Sequence, residues 1–190
     1  MTEWEKMVAG LPCNDADDEM ANRRLVAKKL FREYNRTTDD ELDQRQKIFA
    51  RLFRSFGKNL YIEPDFICEL GSNISFGDNV FINFGCIIFD CGEVNIGSNV
   101  FFGPRAGLYT TNHALDSAER SNNICVSKPI NIGDRVWFGA SVTVLPGVTI
   151  GSDTVIGAGS VVTHDIPSGV VAVGNPCRVI RKITEEDKLL

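Results

Sequence analysis

At 190 residues, 43% hydrophobic and 24% charged, the chain has room for one core and the composition of an ordinary soluble domain. Its formal charge of −5 excludes the basic face that a nucleic-acid binder needs. No apolar run approaches the roughly 18 residues that span a bilayer, and Met1 to Gly10 lacks the basic-then-apolar order of a secretory leader, so the expected compartment is the cytoplasm.

Residues 1–57 read as a helical segment. Between Ala21 and Tyr34, the apolar residues Leu25, Leu30, Phe31 and Tyr34 fall at helical spacing. Thr38 to Glu41 has the form of a capping box, with Thr38 as N-cap and Glu41 reaching back. Leu42, Ile48, Phe49, Leu52 and Phe53 then suit an amphipathic helix ending at Gly57. The segment is expected as a cap on one end or flank of the rest of the chain.

From residue 70 a large apolar residue recurs every six positions: Leu70, Phe76, Ile82 and Ile88. After a two-residue slip at Asp90-Cys91 the count resumes at Ile96, Phe102 and Leu108, and later at Ile132, Phe138, Val144, Ile150, Ile156 and Val162. A small or β-branched residue often sits four places on, as at Val80, Cys86, Val100, Ala106, Val136 and Ser160. A period this short and this long-lasting predicts a parallel β-helix over residues 58–183, with about five coils of three short strands. Coils stack at the strand spacing of about 4.8 Å. Gly77-Asp78-Asn79, Gly97-Ser98-Asn99, Gly133-Asp134-Arg135 and Gly151-Ser152-Asp153 are predicted to share one corner, where tight backbone is needed. Residues 184–190 form a short polar tail, helical or frayed.

The repeat breaks between Asn112 and Lys128, a polar stretch expected to leave the β-helix as a loop. It opens with His113, one of only two histidines; taken alone, a loop histidine is more often a solvated side chain than a base, and its place at the start of the only long extrusion shifts that balance toward catalysis. The six cysteines, Cys13, Cys68, Cys86, Cys91, Cys125 and Cys177, make no C-x-x-C pair and no metal-like spacing. They read as free thiols in small packing positions.

Four stretches carry a resemblance: Gly107 to Asp116 around His113, the pair Asn83-Phe84, the run Ile156 to Pro167, and Gly174 to Arg181. Together with the N-terminal segment, they resemble the maltose and galactoside O-acetyltransferases over nearly the whole chain. The resemblance implies a left-handed β-helix, a homotrimer with sites between subunits, and acetyl transfer from acetyl-CoA to a sugar hydroxyl, with no metal.

A hydroxyl is a weak nucleophile at neutral pH and imidazole titrates in the right range, so His113 is the expected base for direct attack on the thioester. The resemblance points to the backbone N–H of Ala140 for the oxyanion, with Asn83 supporting the acceptor; the competing reading of Asn83 is a turn asparagine. It also implies acceptor contacts at Asp15, Glu69, Asp90 and Cys91. Asp15 lies in an acidic run where a helix N-cap is equally expected. Asp90 keeps the acidic character of its family counterpart, Cys91 occupies the neighbouring acceptor-contact position, and Glu69 stands where a relative has a small hydroxyl residue; the last two departures leave the identity of the sugar open. For acetyl-CoA the implied positions are Ala140, Ala158 and Gly159 along the pantetheine arm, Thr163 and His164 further on, and Arg178 and Arg181 at the phosphates. His164 replaces the lysine common in the family, which removes a fixed positive charge.

Rival readings on the same scaffold are acetyltransferases acting on an antibiotic or a serine-like hydroxyl, and a non-catalytic trimeric scaffold. A zinc enzyme of the three-histidine type is excluded by the count of two.

Overall fold

In the computed structural model, which describes residues 1–190, the six-residue period becomes a three-sided prism of stacked coils. Side one stacks Tyr61–Ile62, Phe81–Ile82, Phe101–Phe102, Trp137–Phe138, Val155–Ile156 and Val170–Val173. Side two stacks Ile67–Cys68, Ile87–Phe89, Gly107–Tyr109, Thr143–Val144 and Val161–Val162. Side three stacks Ile74–Phe76, Val94–Ile96, Ile130–Ile132 and Thr149–Ile150. All pairs between these coils are parallel. Six coils contribute to side one, one more than the sequence count.

The inward residues are the predicted ones. Ile82, Phe102, Phe138 and Ile156 align on side one, and each is at most 3% exposed. Each such burial contributes roughly 1.5–3 kcal/mol. Phe102 and Phe138 stack with ring centroids 4.6 Å apart. One hexad position needs correction. On side two, Cys68 is the residue aligned with Ile88 and Leu108; Leu70 is buried instead in a smaller cluster outside the prism. The slip seen at Asp90 therefore also occurs one coil earlier, after Cys68.

The predicted corner, between sides three and one, is a ladder. The N–H of Asp78 donates to Ser98 Oγ (3.0 Å), that of Ser98 to Asp134 Oδ1 (2.8 Å), and that of Asp134 to Ser152 Oγ (3.0 Å). Asn79, Asn99, Arg135 and Asp153 all take left-handed backbone there, with φ of 55–59°. Gly97 is required by close stacking, because a Cβ would lie 2.7 Å from the carbonyl carbon of Gly133.

The N-terminal segment has three helices, α1 (Glu3–Val8), α2 (Asp18–Tyr34) and α3 (Leu42–Leu52). Tyr34, Phe49, Phe53, Phe66 and Phe76 form an aromatic plug over the first coil, with centroids 5.0–6.0 Å apart. Leu25 and Leu42, predicted to face the core, are 51% and 55% exposed; the buried stripe of α2 runs through Met20, Ala27, Leu30, Phe31 and Tyr34, and Leu25 lies beside it. The Thr38 box closes a turn ahead of α3 and not its first turn: Glu41 accepts the N–H of Thr38 (2.8 Å), but Glu41 itself is the N-cap. Nor does α3 reach Gly57. The chain joins side three already at Arg54, whose N–H donates to the Ile74 carbonyl (3.0 Å), so cap and prism share one core.

At the other end, Arg178–Lys182 returns antiparallel to Val170–Val173 and covers the last side-one strand. The tail adds a single 3-10 turn, Glu185–Asp187. No helix is long and apolar enough to cross a membrane.

Candidate active site

Three successive coils bulge at the same corner, between sides two and three: at residues 69–72, at 90–92, and at 110–128. The third bulge is not a loose loop. Thr111–His113 and Ile124–Ser127 pair antiparallel, with α4 (Ser117–Ser121) at the tip. Asp116 caps α4 by accepting from the N–H groups of Ala118 and Glu119. Arg120 donates to the carbonyls of Ala114 and Leu115, closing the tip on itself. At the base, Thr110 Oγ1 donates to the Phe89 carbonyl (2.6 Å) and accepts from the N–H of Gly92 (2.9 Å). His113 is thus exposed but carried on a two-stranded ribbon clamped to the prism. Its Cα partner is Cys125.

A third strand, Cys13–Asn14, adds to the ribbon from the N-terminal segment. This brings Asp15 toward the bulged corner, where it meets Glu69 through Arg24, a residue that carries no motif. Arg24 Nη1 donates to the Asp15 carbonyl (2.5 Å), Nη2 to Asp15 Oδ2 (3.4 Å), and Nε lies 2.5 Å from Glu69 Oε1. All three side chains are half-buried. The N-cap of α2 is Asp17, not Asp15. Arg24 gave no signal in sequence because its partners lie 9 and 45 positions away.

Asp90 and Cys91 do not reach the surface, which corrects their assignment as direct acceptor contacts. The Asp90 carboxylate is fully buried and accepts backbone N–H groups from Glu69 (3.0 Å), Leu70 (2.8 Å) and Asn73 (3.3 Å). Asn73 returns its amide to the carbonyls of Asp90 and Cys91. Burial pushes the Asp90 carboxyl up to about 6, against the pull of these N–H groups. Cys91 is 1% exposed, and burial raises its thiol to about 11. A thiol so protonated is a poor nucleophile.

The other expected residues occupy different places. Asn83, Ala140, Ala158 and Gly159 lie at the corner between sides one and two, across the width of side two from His113. Asn83 Oδ1 accepts the N–H of Phe84 (2.8 Å), the turn geometry weighed for it; its Nδ2 makes no hydrogen bond within the chain. Asn83 also borders a ≈ 380 Å³ cavity with Phe81, Phe101, Phe102, Gly103 and Trp137. The N–H of Ala140 donates to nothing in the chain, while its carbonyl accepts from Gly159 (2.8 Å). Ala158 and Gly159 are exposed, and a Cβ on Gly159 would touch nothing.

Thr163 and His164 sit at the bulged corner two coils beyond His113, with Thr163 Oγ1 2.8 Å from His164 Nδ1. His164 and Arg178 line one cavity of ≈ 340 Å³ with Asp165, Ile166, Cys177 and Val179. Arg178 Nη1 donates to the Cys177 carbonyl (2.8 Å). Arg181 is engaged by the tail: its Nη1 and Nη2 each lie 2.7 Å from a carboxylate oxygen of Asp187.

Stacked coils of six-residue repeats closed by a helical N-terminal cap are the architecture of the hexapeptide-repeat acyltransferases. Residues 6–57 match the maltose acetyltransferase hexapeptide capping motif, and residues 129–164 match the bacterial transferase hexapeptide (six repeats). The galactoside O-acetyltransferase of Escherichia coli is 42% identical over 188 residues, covering 99% of this chain and 93% of its own. Among solved structures, a maltose O-acetyltransferase from Clostridium difficile superposes with a TM-score of 0.95 at 46% identity, over 97% of this chain and 99% of that one. A hexapeptide-repeat acetyltransferase from Vibrio cholerae, complexed with acetyl coenzyme A, superposes at 0.87 with 35% identity, over 97% and 100%. The chain belongs to the maltose and galactoside O-acetyltransferase family.

Proposed function

We propose that the protein transfers the acetyl group of acetyl-CoA to a hydroxyl of a sugar of the maltose, glucose or galactoside type, by direct attack with His113 as general base. The observation that carries this reading is the position of His113, exposed on a ribbon clamped to the prism and linked across Cys125 to the strand that leads into Asp15. His113 takes the proton as the hydroxyl oxygen attacks the thioester carbonyl. The tetrahedral oxyanion takes the unpaired N–H of Ala140. The C–S bond then breaks, and the imidazolium returns its proton to the CoA thiolate. Asp15, Arg24 and Glu69 hold the acceptor, while Asp90 and Cys91 support that wall from below.

His113 and the Asn83–Ala140 corner lie on opposite edges of side two, so one chain does not close this site. A homotrimer supplies the missing half, with the Asn83 corner of one copy facing the His113 ribbon of the next. The outward residues support association. Side one presents Tyr61, Phe81, Phe101, Trp137, Val155 and Val171 in register, and Phe101 and Trp137 are more than half exposed. Side three instead presents Ser75, Asn95, Asn131 and Thr149. An apolar stripe that long marks an interface. Thr163, His164, Arg178 and Arg181 receive the CoA tail.

The test is release of free thiol from acetyl-CoA over glucosides, galactosides, maltose, chloramphenicol and serine. Sugars are expected to give the highest rate over affinity, and His113→Ala to lower turnover by about 100-fold or more. Turnover of the variant within about tenfold of normal would remove His113 as the base. Thiol release with none of the acceptors would favour a non-catalytic scaffold.

A further inference from the structure

Cys13 and Cys125 face one another on adjacent antiparallel strands, with Sγ atoms 3.7 Å apart and both side chains buried. The N–H of Asp15 donates to the carbonyl of Asn123 (3.1 Å) two residues along, so Cys13 and Cys125 fall in the hydrogen-bonded phase of the ladder. That phase sets Cα atoms about 5.5 Å apart, inside the roughly 4.4–6.8 Å range that a disulfide spans. No other two cysteine sulfurs lie within hydrogen-bonding reach of each other. Cys125 has a second neighbour across its other edge, His113.

We infer that Cys13 and Cys125 form a reversible disulfide that fastens residues 1–17 to the ribbon carrying His113 and lowers acetyl transfer. Closing the sulfurs from 3.7 Å to the bonded distance of about 2.0 Å draws the Cys125 strand toward Cys13. His113 pairs with Cys125, so it moves with that strand. A misplacement of about 1 Å at a positioned catalytic group costs on the order of 100-fold in rate.

Access to the thiols comes through local opening. Burial raises both thiols, which makes the closed segment slow to react. Yet that segment rests on a separate cluster of six residues, Met7, Cys13, Met20, Leu70, Cys91 and Cys125, and not on the 38-residue core of the prism. Its strand is only two residues long. A unit with so few buried contacts opens well before the global fold does. With glutathione disulfide as oxidant, one cysteine thiolate displaces a glutathione thiolate to give a mixed disulfide. The second cysteine then displaces the other glutathione. The protein pair is oxidised by two electrons, and two reduced glutathione molecules carry away the two protons.

The experiment incubates the full-length protein with glutathione disulfide, then counts alkylatable thiols by intact mass in denaturant. The expected result is a fall from six to four with no retained glutathione, a cross-linked peptide joining residues 13 and 125, and turnover lowered by about tenfold or more. Dithiothreitol should restore both readouts. Cys13→Ala and Cys125→Ala should each keep their reduced turnover under the same oxidant. Six free thiols, a persistent glutathione adduct, or a cross-linked protein with undiminished turnover would each overturn the inference. The activity arm rests on His113 acting as the base. If the reduced protein acetylates no hydroxyl acceptor, that reading fails on its own, while the thiol count still decides the cross-link.

Discussion

Asp90, fully buried on the second coil, accepts the N–H of Glu69 on the coil before it at 3.0 Å. It also holds Leu70 and Asn73, so one carboxylate fixes the whole first bulge of the corner beneath the Asp15–Arg24–Glu69 cluster. The side chain that the resemblance placed against the acceptor works one layer further in.

Asp90 should leave a signature in the pH dependence of stability. Burial raises its folded carboxyl to about 6, so the folded chain holds that proton more tightly than the unfolded chain does. The stabilisation is complete below the ordinary carboxylate value and is lost as pH rises through 6. Between about pH 4 and pH 6.5, wild-type stability should fall relative to Asp90→Asn by on the order of 3 kcal/mol. Urea unfolding of both proteins at the two pH values measures it; parallel curves would mean that the three N–H groups fully offset burial.

Phe138 is fully buried and stacks on Phe102. Phe138→Ala removes that contact and leaves a void between coils, at an expected cost of about 3–5 kcal/mol. Thermal unfolding should show a large fall in Tm. A loss below about 1 kcal/mol would mean that the neighbouring coils collapse into the space.

Trp137 points outward from the same strand, 55% exposed. Trp137→Asp should leave the fold intact by circular dichroism, because the residue is not part of the core. It should break the oligomer in sedimentation velocity, and turnover should fall with it. A variant that stays trimeric would show that side one is not the interface.

The Arg181–Asp187 pair bears on the donor end. The Arg181 guanidinium and the N–H of Thr184 hold the Asp187 carboxyl down at about 2. Asp187→Asn releases the guanidinium for phosphate, so KM for acetyl-CoA should drop about two- to fivefold, as expected for an exposed pair, with kcat unchanged. Replacing His164 by Lys should lower the same KM by restoring a fixed charge. An unchanged KM in both variants would place the nucleotide phosphates elsewhere.

The hexads made the prism legible because an inward residue is needed at every side and nothing else in a soluble chain enforces a six-residue period. Even the corner stacking of Asp78, Ser98, Asp134 and Ser152 could be read, since stacked turns repeat their chemistry. The first coil escaped. Cys68 is a less obvious core residue than Leu70, and a bulge between them mimics a continued count. The helices were found but rotated, as Leu25 and Leu42 show, because the prism end decides which stripe is buried. At the site, His113 announced itself by interrupting the repeat. Arg24 and the facing of Cys13 with Cys125 did not, because both depend on a strand from residue 13 pairing with one from residue 125.

Bulges at one edge of the prism have a consequence for how such an enzyme can diversify. Strands Ile88 to Ile96 and Leu108 to Ile132 keep their lateral pairing although 8 and 24 residues separate positions that are 6 apart elsewhere. Chain length is therefore a free variable at that edge, whereas at the Gly97 edge even a methyl group collides with the next coil. Insertions and deletions confined to the bulged edge can reshape the ribbon that carries His113 and leave the pitch and the core of the prism untouched. Swapping residues 111–127 between relatives is accordingly a cleaner route to altered acceptor choice than point substitution inside the coils.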